Sequence, residues 1–183
     1  MPGRTFEQVI ASVLKTVGPT ITVGDPGEQL PRLGAVREYF VHDDWQTAVA
    51  KLMDEVALLV FVLGDTENFF WEFQQAVGKH RKADLLIIVP PLKRQLLQSR
   101  WKRFCESNAD ALGTNIPDDF PDETVVGLFF LNDEPVVIKG RKRRILDLQV
   151  GIRLFLCIHR EQITSHEELR GFVRDHLPLI KFT

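Results

Sequence analysis

Residues 58–73 read LLVFVLGDTENFFWEF, and this stretch decides the predicted fold. It opens as a continuous apolar run rich in Leu and Val, which is typical of a strand buried on both faces. A turn at residues 64–66 follows, and Asn68 is the predicted N-cap of a helix. Glu72 then lies one turn into that helix, with its side chain directed toward the helix start. Because ligands of open α/β sheets bind outside the carboxyl ends of the strands, Glu72 is a candidate functional carboxylate.

The composition is that of an ordinary soluble globular protein. The chain has 183 residues, 44% of them hydrophobic and 26% charged, which predicts one domain over 1–183 with a substantial core. A net charge of −2 gives no argument for nucleic-acid binding. No apolar run reaches the ~20 residues that span a bilayer, and the N-terminus lacks a signal-peptide pattern. We therefore expect a cytoplasmic chain, either by itself or as the cytosolic portion of a membrane-anchored protein.

Helical and strand patterns alternate along the sequence. Helices are predicted over 5–17, over 45–56, around Glu72 and over 92–108, and a final helix begins at the capping box of Ser165 and Glu168. Strands are predicted over 20–23, 58–63 and 85–89, and a hairpin over 125–138. In the helix over 92–108, the residues predicted to be buried are Leu96, Leu97, Trp101 and Phe104. Residues 146–159 fit both a strand and a helix, and their length favours a helix. This order predicts an α/β three-layer sandwich with a mainly parallel, flavodoxin-like sheet, followed by a β-hairpin and helices.

Two interpretations of Glu72 are open. It is either a solvated helix carboxylate or the acidic group of a nucleotide or nucleoside pocket. In such a pocket it would hold a ribose hydroxyl, stabilise an oxocarbenium-like transition state, or attack the anomeric carbon. Trp71 would then supply an apolar wall that raises the carboxyl pKa by desolvation, although an aromatic side chain at this spacing also fits the core.

Two turns and one arginine are candidate binding elements. Gly24-Asp25-Pro26-Gly27 ends the first predicted strand and permits a close backbone approach to a ligand, although a simple tight turn explains it equally well. A long loop follows and ends at Arg37, which could meet a phosphate or pair with a nearby carboxylate. Gly64, Asp65 and Thr66 offer a donor and acceptors beside Glu72, or act only as turn formers.

The sequence lacks the motifs of several common chemistries, which argues against them. The sequence has no G-x-G-x-x-G fingerprint, no P-loop lysine motif and no G-x-S-x-G elbow. The five histidines share no metal spacing, and Cys105 and Cys157 match no zinc or redox pattern, so no metal and no resident cofactor are predicted. The basic run Lys139-Gly140-Arg141-Lys142-Arg143-Arg144 is either solvated or a contact for a phosphate, an anionic lipid headgroup or an acidic partner.

The turns around Gly24 and Gly64, the Trp71-Glu72 pair and the strand ending at Pro90-Pro91 together resemble bacterial TIR-like domains. The arrangement is also similar to that of nucleoside deoxyribosyltransferases. More narrowly, it resembles an uncharacterised bacterial group with a Gly-x-Pro-Gly…Pro-x-x-Gly-Ala-x-Arg segment, which is matched by Gly24, Pro26, Gly27, Pro31, Gly34, Ala35 and Arg37. The likeness covers about residues 5–140.

The resemblance implies a function. TIR enzymes cleave the nicotinamide–ribose bond of NAD with a helical glutamate, which corresponds to Glu72. Many of them carry Trp-Cys-x-x-Glu, whereas Trp71 and Glu72 are adjacent here. We therefore expect either a hydrolase of the NAD glycohydrolase type or a non-catalytic signalling module that binds a nucleotide or self-associates, since a shared fold does not carry function with it.

Overall fold

A computed structural model describes residues 6–23, 36–38, 45–112, 122, 124–141, 145–176 and 181–182. Helices and strands are both well represented in these ranges, which confirms the predicted α/β class. The described elements are α1 (Phe6–Leu14), β1 (Ile21–Val23), β2 (Val36–Glu38), α2 (Trp45–Glu55), β3 (Leu59–Val62), α3 (Glu67–Lys79), a 3₁₀ turn (Lys82–Asp84), β4 (Leu85–Ile88), α4 (Arg94–Ser107), α5 (Ala109–Leu112), β5 (Val125–Leu131), β6 (Glu134–Lys139), α6 (Ile145–Arg160), α7 (His166–His176) and β7 (Lys181–Phe182).

The main sheet is mixed, so the prediction of a mainly parallel sheet is wrong. Its described strands run in the order β3-β4-β5-β6-β7. Strands β3 and β4 are parallel, while β5, β6 and β7 each pair antiparallel with the preceding strand. The cause is the β5–β6 hairpin, which inserts into the sheet beside β4 instead of standing apart from it. Asn132 and Asp133 reverse the chain there with φ values of 52° and 64°, a left-handed conformation that these two residue types tolerate.

Among the described residues, the first strand does not pair with the main sheet. Strand β1 lies parallel to β2, with Thr22 opposite Arg37. The predicted long loop therefore does not extend to Arg37, because residues 36–38 are extended and hydrogen-bonded to β1. The Gly24-Asp25-Pro26-Gly27 turn lies outside the described residues.

The prediction that the strand over 58–63 is buried on both faces is wrong, because β3 is the end strand of the described sheet and Val62 is 37% exposed. Strand β4, by contrast, is buried on both faces, as its apolar run predicts. Its successive side chains point to opposite faces, so Leu85 and Ile87 belong to one hydrophobic cluster and Leu86 and Ile88 to a second. The helices divide between the same two clusters. The first includes Val49 and Met53 of α2, Phe69, Phe73 and Ala76 of α3, and Leu97, Trp101 and Phe104 of α4. The second includes Val9 and Val13 of α1, Leu148, Ile152 and Phe155 of α6, and Leu169 and Val173 of α7.

Two helix predictions are confirmed and one burial prediction is wrong. Residues 146–159 are helical, within α6. The N-terminus of α7 has the predicted capping box, since Ser165 Oγ accepts from the Glu168 N–H and Glu168 Oε2 accepts from the Ser165 N–H, both at 3.2 Å. Leu96 is 44% exposed rather than buried. The buried side of α4 is formed by Leu97, Trp101 and Phe104. Because successive residues of an α-helix are rotated by about 100° around its axis, Leu96 points away from the side on which Leu97 lies.

A substitution at Gly127 tests how tightly β5 packs against β4. A Cβ added to Gly127 would lie 2.8 Å from the backbone oxygen of Ile87, so the β4 backbone would have to move. We expect Gly127→Ala to lower the free energy of unfolding by about 1–3 kcal/mol. Gly78→Ala is the control, because a Cβ there meets nothing within 4 Å and alanine favours the helix. Urea unfolding followed by far-UV circular dichroism measures both, and equal stability of the two variants would contradict this packing.

Candidate functional site

Helix α3 begins earlier than the sequence suggested, which moves Glu72 into its second turn. Its N-cap is Thr66, whose backbone is extended and whose Oγ1 accepts a hydrogen bond from the Phe69 N–H at 3.2 Å. The prediction of Asn68 as the N-cap is therefore wrong. Both residue types suit the position, and the extended backbone at Thr66 decides between them. Thr66 thus has a local structural function.

Glu72 lies at the edge of the buried face of α3. Phe69, Phe73 and Ala76 point into the first hydrophobic cluster and are at most 9% exposed. Glu72 is three residues after Phe69 and four before Ala76, so its side chain emerges beside this apolar stripe. It is half-buried, neither in the core nor fully in water.

The Glu72 side of α3 faces α2. Lys79 lies two turns further along the same side, and its Nζ donates to the Ala50 carbonyl oxygen at 3.0 Å and to Asp54 at 2.8 Å. One residue before Glu72, the Trp71 ring meets the Trp45 ring at the start of α2, with 5.0 Å between the ring centroids. The carboxylate therefore leaves α3 near the α2–α3 boundary, next to a pair of tryptophans.

Burial raises the pKa of the Glu72 carboxyl from 4.5 to about 6. The charged carboxylate loses hydration there, and within the described part of the chain no hydrogen bond or opposite charge counteracts that loss. The shift has the direction expected of a desolvated carboxyl. A glutamate that is costly to ionise and has no partner among the described residues is a candidate for chemistry.

Asp65 is directed toward α4 rather than toward α2. Its Oδ1 lies 3.4 Å from Arg100 Nε and its Oδ2 lies 3.9 Å from Arg103 Nη1. Arg103 also stands over the Phe70 ring, 5.9 Å from the centroid. The structure therefore does not bring the two predicted carboxylates Asp65 and Glu72 together, because they face the two different helices that flank α3.

Arg100 and Arg103 are residues that the sequence analysis missed as neighbours of this turn. Their spacing of three residues places them on one side of α4, and this spacing was the only available signal. Gly64 has a packing reason of its own, since a Cβ there would lie 3.1 Å from the Phe69 ring. The turn at Gly64 to Thr66 is thus held by packing, an ion pair and a cap.

The other predicted binding residues remain predictions. Gly24, Asp25, Pro26 and Gly27 lie outside the described residues, and for Arg37 the structure describes the strand backbone of β2 only. Glu72 lines neither the cavity of about 210 Å³ beside α1 and α6 nor the cavity of about 600 Å³ beside α6 and α7. Within the same ranges, no group of His, Cys, Asp or Glu side chains could hold a metal ion.

Comparison of the chain with protein-family models, curated proteins and solved structures gives no significant match. The TIR resemblance and the activity it implies therefore remain predictions. Among the described helices, none is long and apolar enough to cross a membrane.

The raised pKa of Glu72 predicts a pH-dependent effect of removing its charge. Below pH 4.5 the carboxyl is mostly protonated in both the folded and the unfolded chain, so its burial does not lower the free energy of unfolding. As the pH rises toward about 6, only the unfolded chain ionises freely, and the wild type loses stability. We expect Glu72→Gln to be more stable than wild type by about 1–2 kcal/mol at pH 8, and equal to it at pH 4.

Thermal or urea unfolding at both pH values measures this difference. The control is Glu55→Gln, at an exposed glutamate of α2, for which no such pH-dependent gain is expected. A Glu72→Gln variant that loses stability at pH 8 would show that the carboxylate has a stabilising partner instead.

Proposed function

We propose that this chain binds a nucleotide and cleaves an N-glycosidic bond, with NAD as the simplest substrate. The observation that carries the proposal is the half-buried Glu72, whose carboxyl pKa is raised to about 6 beside the Trp71–Trp45 pair. It stands on the helix that follows the carboxyl end of β3, the side of an α/β sheet where ligands usually bind.

The proposed reaction is hydrolysis at the anomeric carbon of the ribose. The bond to nicotinamide breaks and its electron pair stays on the nicotinamide nitrogen, so that nicotinamide leaves as a neutral molecule and positive charge develops on the ribose. The oxygen of a water molecule then bonds to the anomeric carbon, and one proton of that water is released to solvent. Glu72 would stabilise that charge or form a transient ester with the anomeric carbon. With a pKa of about 6 the carboxyl is mostly ionised at neutral pH, and its partial desolvation strengthens its attraction for the developing cation.

The fold is compatible with this function. The division of the helices between two hydrophobic clusters, one on each face of β4, supports the three-layer sandwich of TIR-like and flavodoxin-like domains. The parallel β3–β4 pair supports a shared edge for the turns that follow these strands. In this proposal Gly24, Asp25, Pro26, Gly27 and Arg37 contact the ribose and phosphates, and Trp71 lines the pocket.

A non-catalytic signalling module that self-associates is the second candidate. It is favoured by the exposed side of α4, where Leu96 is 44% exposed next to Lys93 and Arg94. It is also favoured by the contacts of Asp65 and Thr66. The Asp65 carboxylate pairs with Arg100 and the Thr66 hydroxyl caps α3, so these two groups already have structural partners that a bound nucleotide would have to replace.

An assay with Glu72→Gln tests the proposed function. Wild type and variant are incubated with NAD and with deoxynucleosides, and free nicotinamide or base is followed. We expect the variant to lose at least about 100-fold in turnover, since it removes charge stabilisation in the transition state. Glu55→Gln should keep wild-type turnover. High protein concentration is used because the resemblance implies activation by self-association.

The pH profile gives an independent readout. Turnover should fall as the pH drops below about 6, where the Glu72 carboxyl becomes protonated and can no longer stabilise a cation. If NAD raises the melting temperature without any turnover, the binding module is supported instead. Neither turnover nor a thermal shift with any nucleotide would overturn nucleotide recognition altogether.

A further inference from the structure

The strand directions bring three chain segments to one edge of the main sheet. Strand β5 is antiparallel to β4, and β6 is antiparallel to β5, so β4 and β6 end at the same edge. The segments Val89–Pro91 after β4 and Gly140–Arg141 after β6 therefore emerge together. Helix α6 starts at the same place, since its first turn shares a cavity with Val89 and Pro91.

This edge exposes aliphatic side chains. Ile145 and Leu146, at the start of α6, are 54% and 60% exposed. Behind them lies a cavity of about 210 Å³ whose lining is almost entirely apolar. It is lined by Phe6, Val9, Val89, Pro91, Val126, Ile145 and Leu148. Two adjacent exposed aliphatic residues over an apolar cavity are unusual for a surface that meets only water.

Two exposed basic side chains lie on the segments that meet at this edge. Arg141 is exposed four residues before Ile145, and Lys93 is exposed two residues after Pro91. The three residues after Arg141 are also basic in sequence, although they lie outside the described residues. We call Lys93, Arg141, Ile145 and Leu146 the basic–apolar edge.

The acidic residues nearby are already engaged. Asp122 accepts hydrogen bonds from the Thr124 N–H and hydroxyl and lies 3.6 Å from Lys139 Nζ. Asp147 packs against Gly140, where an added Cβ would meet its side chain at 2.6 Å. Exposed Arg141 and Lys93 supply positive charge to this edge, while Glu7 of α1, next to Phe6 of the cavity lining, supplies a negative charge that also takes part in an interaction.

We propose that the basic–apolar edge binds the surface of an anionic lipid bilayer. Ile145 and Leu146 enter the headgroup region, and Arg141 and Lys93 contact lipid phosphates. Stable attachment to a membrane surface requires both an apolar and an electrostatic contribution, and this edge supplies the two side by side. The aliphatic residues present no hydrogen-bonding group that would select a particular protein sequence, which favours a lipid surface over an acidic protein. The proposal is independent of the function of Glu72.

Vesicle co-sedimentation of the full chain tests the proposal. The vesicles contain phosphatidylcholine alone or mixed with phosphatidylglycerol, at low and at physiological salt. We expect binding to the anionic vesicles only, and weaker binding as the salt screens the charges. Arg141→Glu should weaken binding by about fivefold or more, and Ile145→Ser with Leu146→Ser by about tenfold.

Matched controls lie elsewhere on the surface. Val17→Ser changes an apolar residue that is 62% exposed, and Arg153→Glu changes an exposed arginine of α6. Both should bind like wild type, and circular dichroism checks that every variant is folded. Failure to bind anionic vesicles at low salt would overturn the proposal. So would binding that Arg141→Glu abolishes but the Ile145 and Leu146 changes leave intact, since that result shows charge attraction without insertion.

Discussion

The burial of β4 on both faces is the constraint on which the rest of the structure depends. Leu85, Leu86, Ile87 and Ile88 are each at most 1% exposed, and they alternate between the two hydrophobic clusters. A strand in this position must be covered on each side, so it requires helices on both faces and a paired strand on both edges. Strand β3 covers one edge and the inserted hairpin covers the other, which fixes where the strand ends emerge.

The same packing creates the electrostatic feature at Glu72. Helix α3 is held by Phe69, Phe73 and Ala76, and a carboxylate at the edge of that stripe loses part of its hydration whether or not it has a function. The raised pKa of Glu72 is thus a consequence of packing, and it is present whether or not the carboxyl takes part in a reaction. Asp65 is in the opposite situation, because Arg100 and Arg103 approach it from α4.

Errors in the sequence interpretation have local physical causes. Thr66 and Asn68 are both good N-cap residues, and only the backbone path out of β3 selects Thr66. Leu96 and Leu97 are identical in type and adjacent, so the pattern could not tell which one faces the core. The predicted hairpin over 125–138 is confirmed, but the pattern of a hairpin does not determine which strand it joins.

By itself, the sequence determined the elements whose pattern is local. These include the buried strand β4, the existence of strand β3, the amphipathic helices, the β5–β6 hairpin and the Ser165–Glu168 capping box, because periodicity and side-chain hydrogen bonds act over a few residues. Only the tertiary structure decided the mixed sheet, the separation of Glu72 from Asp65, and the meeting of Pro91, Arg141 and Ile145 at one edge. Those features depend on which distant segments pack together, and that choice follows from the total apolar surface buried rather than from any single stretch.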